Sequence, residues 1–326
     1  MFVVGMNGSG TTMVLDHLNS HSALFGFRLE TKILPYYLRR YTKFGDLALD
    51  DNFQRLFDEM RSAFPFRKVN KGRPVELPDG WRDIRRTPAA IFDFLMCHFA
   101  SLVGKRRWCE KSPMHVMHIA ELAEAWPEAQ FIHVIRDGRN CAASFHRRWG
   151  YSPQASMYRW KRCIREGRRQ GRPLGQRRYL EVYYEELTAE PERVLSGVCR
   201  FLEVGFEDSV MGTSRSAKRV RGLDSNSIRP NDRTFADYFP KSICESLERI
   251  GGVTLSQLGY SASYPDSDAD PPALMLRYWM LRDRLRAAAN ALFGSGDEKS
   301  RPSGSYWNLV FKKLQRGLRQ SRTDEL

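Results

Sequence analysis

The sequence predicts an α/β fold: three layers, with helices on both faces of a central, mainly parallel sheet. Three observations carry that expectation. The apolar run Val3-Val4 reaches Gly5 and gives way to a glycine-rich turn and then a helical pattern. The run Phe131–Ile135 does the same, ending in Arg136-Asp137-Gly138-Arg139 before another helical pattern. Along most of the chain, strand-like runs alternate with helical ones, the rhythm of a parallel sheet with crossover helices. At 326 residues and 42% hydrophobic content, the chain can bury a core for one large domain with insertions, or for a domain plus an appendage.

The elements follow in order. A helix is expected over about 11–19, with Val14, Leu15 and Leu18 on one face. Residues 40–106 hold no clear strand but two helical patterns, about 51–63 and 88–103, around a basic loop containing Pro and Gly. They read as a helical insertion over the sheet's ligand-binding edge, and such insertions commonly shape specificity. A short strand at 107–110 leads to a helix over about 114–126. The strand at 130–135 is followed by a helix from about Asn140 to Arg148, then by a polar, arginine-bearing helix over about 153–170. Tyr179–Tyr184 is the next strand and 191–203 the next helix. Residues 212–234 read as a basic loop. An apolar and arginine-rich helix is expected over 272–293, a Gly/Ser/Pro linker over 294–305, and a second short amphipathic helix over 306–318. The expected division is a domain over 1–262, insertion included, and a basic helical tail over 263–326.

The first turn carries chemistry. A strand, a glycine-rich loop and a helix N-terminus aim backbone N–H groups and a positive helix end at one point, where a phosphate or sulfate binds. Gly5 and Gly10 occupy the glycine positions of the Gly-x-x-x-x-Gly-Lys-Ser/Thr loop, which makes the fold P-loop-like, and Thr12 stands at the hydroxyl position. Thr11 replaces the lysine that reaches the outer phosphates, so the anion cradle is kept while the cation for nucleotide hydrolysis is lost. Arg136, leaving the second strand, and Ser144, two turns into its helix, can face a second anion beyond the sheet's C-terminal edge. Two anion sites on one sheet suggest a ligand with two separated phosphate groups.

On these residues the chain resembles the sulfotransferases that use 3′-phosphoadenosine 5′-phosphosulfate (PAPS). Gly-x-x-x-Ser-Gly-Thr-Thr is similar to their 5′-phosphosulfate loop, and Ile135-Arg136-Asp137-Gly138-Arg139 with a downstream Ser to their 3′-phosphate site. Leu29-Glu30-Thr31-Lys32 and Cys109-Glu110-Lys111-Ser112-Pro113 resemble the tyrosylprotein branch in particular, and Tyr184-Glu185-Glu186-Leu187 is a further landmark. The resemblance spans roughly residues 1–260. It implies a sulfuryl donor, PAPS, with the bisphosphate PAP as product and no metal, since the donor already carries a good leaving group. It implies Glu30 as general base and Lys111 as the cation that stabilises the transferring group. Asn7, Gly8, Ser9, Gly10, Thr11 and Thr12 would hold the 5′-phosphate. Arg136, Ser144, Arg148 and Tyr184 would hold the rest of the donor, with Arg221, Ser225 and Arg229 in the late basic loop. The family usually has Arg or Lys where this chain has Gly8, so either Lys111 or Lys32 supplies that charge or the enzyme is slow or inactive. Partial burial among Phe25, Phe27, Leu29 and Ile33 is expected to raise the Glu30 pKa. His17 and His21, the other base candidates, read as facing away from the loop, and His115 with His118 as a helix-surface pair rather than metal ligands. Arg139 is expected to support the turn or meet solvent.

The net charge is +14, which suits an anionic donor, an anionic acceptor or an acidic membrane surface. No nucleic-acid motif accompanies it, and nucleic acid is not expected as a partner. Six cysteines without Cys-x-x-Cys spacing read as buried reduced thiols; with no visible signal peptide and no bilayer-length apolar run, they make the expected location cytoplasmic, with peripheral membrane contact. The tail supports that contact: residues 271–326 hold eleven basic and five acidic side chains, and its expected helices are amphipathic. A homodimer is the other use for such a surface. The expected acceptor is a hydroxyl compound, a glycan, a glycolipid, a peptide tyrosine or a metabolite; the basic surface favours an anionic one and the tail a lipid-linked one, without deciding between them. Two other functions remain open, a non-catalytic polyanion or membrane binder on the same fold and a P-loop small-molecule kinase.

Overall fold

The computed structural model describes residues 1–212 and 233–293, with side chains described up to 286. Five strands form one parallel sheet: β1 (Phe2–Gly5), β2 (Leu24–Phe27), β3 (Arg107–Lys111), β4 (Phe131–Ile135) and β5 (Tyr179–Tyr183), in the order β2-β3-β1-β4-β5. β1 is central because it is apolar on both faces and can be covered on both. Phe2 and Val4 enter a core built on one face with Phe27, Phe53, Phe92, Phe131 and Trp160. Val3 enters the other, with Val14, Leu18, Ile132, Val134 and Val198. The chain leaves β1 toward β2 and β3 on one side and returns to β4 and β5 on the other. The strand order therefore reverses beside β1, and ligands bind at the C-terminal edge of that crevice.

The helix Thr11–Leu18 buries Val14, Leu15 and Leu18, the face expected. Four helices, Leu34–Arg40, Asp50–Arg61, Phe64–Val69 and Pro88–Ser101, fill the segment between β2 and β3. Their aromatic side chains join the sheet's own core: Phe66 packs on Phe27 with centroids 5.5 Å apart, and Phe92 on Trp108 at 5.6 Å. β2, the helix Leu34–Arg40 and the helix Lys241–Gln257 were not expected from sequence. Pro113–His118 is a 3-10 turn, and the regular helix expected from 114 starts only at Ile119. The helix expected from Asn140 begins at Gly138, because the Asp137 side chain caps it by accepting from Arg139 N–H at 2.8 Å.

Candidate functional site

The loop after β1 and the turn after β4 meet, because Gly5 pairs in register with Val134. Arg136 donates through Nη1 to the Gly8 carbonyl at 3.1 Å, and its guanidinium lies over the Tyr184 ring at 4.1 Å. Ser144 is beside Gly8 as well: a Cβ on Gly8 would come within 3.4 Å of the Ser144 hydroxyl. Gly10 takes φ +104°, open to glycine, and a Cβ there would stand 2.7 Å from the Tyr184 ring. Gly8, Gly10, Arg136, Ser144 and Tyr184 thus form one cluster. No side chain caps the helix Thr11–Leu18, so its first-turn N–H groups face the loop mouth unclaimed by a cap. Ser9 Oγ and Arg136 Nε are buried without a hydrogen-bond partner, the condition of groups shaped to hold something polar. Asn7 is half-buried in the same loop, Thr11 is buried and Thr12 is exposed on the first turn. An anionic phosphate fits this cradle.

Arg148 is exposed one turn beyond Ser144, near the Trp149 ring. Arg221, Ser225 and Arg229 lie outside the described residues, as does the expected helix over 306–318.

The second half of the site lies at the ends of β2 and β3. Lys111 is the last residue of β3, paired with Val3, and is buried rather than exposed. Its Nζ donates to Glu30 Oε1 at 3.1 Å, and Lys32 Nζ lies 2.7 Å from Glu30 Oε2. Here one expectation is reversed. Burial does push the Glu30 carboxyl up, but the two lysines outweigh it and the net pKa is lowered. A carboxylate between two ammonium groups is ionised at neutral pH. Lys32 itself has φ +55°, a left-handed conformation that a lysine rarely adopts.

What holds that turn was missed from sequence, although the stretch containing it was singled out. Glu110 is fully buried and gathers four donors. It accepts from Thr31 N–H at 3.2 Å, from the Thr31 hydroxyl at 2.9 Å and from the Ser112 hydroxyl at 2.5 Å, and His115 Nδ1 lies 3.0 Å from its other oxygen. Ser112 Oγ in turn accepts from Lys32 N–H at 3.1 Å. The ends of β2 and β3 are latched together through one carboxylate, and Glu30 and Lys111 are the residues on either side of the latch.

The other histidines are occupied elsewhere. His17 Nδ1 lies 2.7 Å from the Val210 carbonyl and His21 Nε2 2.9 Å from that of Gly205, both turned away from the loop. His118 faces Arg39 and Glu121. Arg139 is buried, not solvated: it bonds Asp137 and Glu248 and ties the second motif to the helix Lys241–Gln257. Among the described residues there is no group of three or more His, Cys, Asp or Glu placed to hold a metal.

A family model described as the sulfotransferase family matches residues 1–208. The chain belongs to the sulfotransferase family. Curated members similar to it include a protein-tyrosine sulfotransferase of Drosophila melanogaster, 27% identical over 184 residues, covering 51% of this chain and 36% of that one. Protein-tyrosine sulfotransferase 2 of Gallus gallus is 22% identical over 278 residues, covering 80% and 67%. The chain spans between about a third and a half of the length of the first two curated relatives it matches. Among solved structures, the sulfotransferase domain of the Synechococcus PCC 7002 olefin synthase superposes with a TM-score of 0.50 at 20% identity, over 80% of this chain and 94% of that one; the two share the fold.

These relatives overturn the expected cytoplasmic location, since protein-tyrosine sulfotransferases are Golgi-resident membrane enzymes. The thiols on which that expectation leaned do not report on a compartment. Cys109, Cys141, Cys163 and Cys199 are buried while Cys97 is exposed, and burial, the largest cause, pushes Cys109 and Cys163 up to about 12. No described helix is long and apolar enough to cross a membrane.

Proposed function

We propose that this sulfotransferase-family chain takes PAPS as donor and places its sulfuryl group on an acceptor hydroxyl, with Glu30 as general base and Lys111 as the cation at the transferring group. The observation that carries the reading is the Glu30–Lys111 contact of 3.1 Å, held at the same sheet edge as the Gly8–Ser144–Arg136 cradle. Bound donor supplies an activated sulfuryl group with a phosphate leaving group. The first-turn N–H groups and the loop from Asn7 to Thr12 hold the 5′-phosphate. Ser144 and Arg136 hold the second phosphate, and Tyr184 orients Arg136 by stacking. Arg136 already touches the Gly8 carbonyl, so its charge reaches the loop that lacks the family's usual basic side chain.

Glu30 is ionised and can accept the acceptor's proton as the hydroxyl attacks. Lys111, buried against it, stabilises charge that builds on the sulfuryl and bridging oxygens, and buried charges act more strongly there than in water. Once Lys111 turns toward that charge, Glu30 loses a counter-ion and gains basicity at the moment it needs it. The relatives' names make a peptide tyrosine the first acceptor to assay, ahead of glycans, glycolipids and small metabolites.

Calorimetric titration of the purified chain tests the donor class. PAP is expected to bind at micromolar concentration without metal. Binding of ATP only in the presence of Mg²⁺ would move the protein to the kinases. Binding of PAP with no turnover on any acceptor would leave a non-catalytic binder. Arg136→Ala is expected to weaken PAP by several-fold to roughly a hundredfold, through loss of a charge-assisted contact of about 1.5–3 kcal/mol. Unchanged affinity would remove Arg136 from the donor site.

A further inference from the structure

The helix Ala273–Phe293 rests against the helix Pro153–Gly171 and the turn before it. Asp283 anchors it, accepting from Ser152 N–H at 3.0 Å, and Leu276 and Trp279 are half-buried near the same face. Arg286 lies so close over Gly150, which takes φ +67°, that a Cβ there would come within 2.5 Å of its Nε. The opposite face is apolar. Leu274, Tyr278, Leu281 and Leu285 recur at spacings of four, three and four residues, which makes a single stripe, and they are 80%, 58%, 57% and 63% exposed. Asp283, two residues beyond Leu281, is roughly half a turn round from the stripe. Exposed Arg277 and Arg284 border it along one side, Arg282 along the other.

We propose that this stripe is a membrane-docking surface, laid flat on a bilayer that contains anionic lipids. An aliphatic stripe with a tyrosine on it and arginines along its borders is the arrangement of an interfacial helix: the apolar residues enter the acyl boundary while the arginines meet lipid phosphates. Charge selects this occupant over a second copy of the chain. Two such stripes packed face to face would bring arginine borders together, and the helix's one carboxylate, Asp283, is turned inward and engaged by Ser152. The chain's net charge of +14 favours the same kind of surface at longer range.

The test is flotation of the full chain with vesicles of phosphatidylcholine, with and without phosphatidylglycerol. Binding is expected only with the anionic lipid, to weaken as salt rises, and to fall at least tenfold in Leu281→Glu and in Arg277→Glu/Arg284→Glu. A thermal midpoint equal to wild type shows that these variants are folded. Arg67→Glu/Lys68→Glu removes the same charge from two exposed positions on a different helix and is expected to leave binding nearly intact. An equal loss in that control would reduce the effect to diffuse charge and overturn the proposal. A chain that stays off the vesicles also overturns it. If that chain is a dimer split by Leu281→Glu, the stripe belongs to a second copy; if it is a monomer, the stripe is covered by the chain's own residues 294–326 or by nothing.

Discussion

Glu30→Gln is expected to lower kcat by about 10²-fold or more, the range that a positioned general base supplies, while PAP affinity stays unchanged. The substitution keeps the size of the side chain and an oxygen that can accept from Lys111, so the geometry survives and the proton acceptor does not. The pH profile adds a second readout. The Glu30 carboxyl is pushed up by burial, pulled down further by Lys111 and Lys32, and ends below its ordinary 4.5. The acidic limb of kcat/KM in the wild type should therefore fall below pH 4.5, and the enzyme should be fully competent in the base at neutral pH. Wild-type turnover in Glu30→Gln would dismiss Glu30 as base. An acidic limb near neutrality would mean that some other group performs the abstraction.

The parts of this protein legible in sequence are those whose chemistry is local. Strand, glycine turn and helix start are adjacent along the chain in both motifs, so Gly10, Thr11, Arg136 and Ser144 could be expected at one sheet edge before any fold existed. The structure brings Ser144 and Arg136 both beside Gly8, with Arg136 3.1 Å from its carbonyl. The parts that escaped depend on partners far away in sequence. β2 is four residues long, Leu-Phe-Gly-Phe, with a glycine inside it; only pairing with β3 makes it a strand. The direction of the Glu30 shift escaped for the same reason. Its apolar neighbours are adjacent in sequence and suggest a raised pKa, whereas Lys111, which decides the sign, is 81 residues away. Glu110 was in view as part of a motif, yet nothing in its local pattern says that it will be the most heavily bonded carboxylate near the site.

Glu110→Ala is expected to cost about 3 kcal/mol or more of stability, which for a domain of this size is a fall in Tm of roughly 5–10 °C. The reason is the number of groups it leaves behind. Thr31 N–H, two hydroxyls and His115 all point at one fully buried carboxylate, and removing it strands them in a cavity. The left-handed turn at Lys32 also loses its brace, a conformation that costs of order 1–3 kcal/mol unless its surroundings impose it. Glu110→Gln is the sharper variant. It retains the volume and an acceptor for Thr31 and Ser112, so it should fold, but with less grip on the Glu30–Lys32 turn. Its kcat is expected to drop with PAP affinity intact, because Glu30 and Lys111 are both present and no longer held in register. Burial raises the Glu110 pKa, but His115 and the Ser112 and Thr31 hydroxyls outweigh it and the net value is lowered. A carboxyl depressed by folding contributes stability that is fully present above its unfolded value and is lost as pH falls through the folded one. Wild type should thus exceed Glu110→Gln in stability at neutral pH, and the gap should close as pH falls below 4.5. A gap independent of pH, or a Gln variant as stable and as fast as wild type, would mean that Glu110 fills space between two strands and positions nothing.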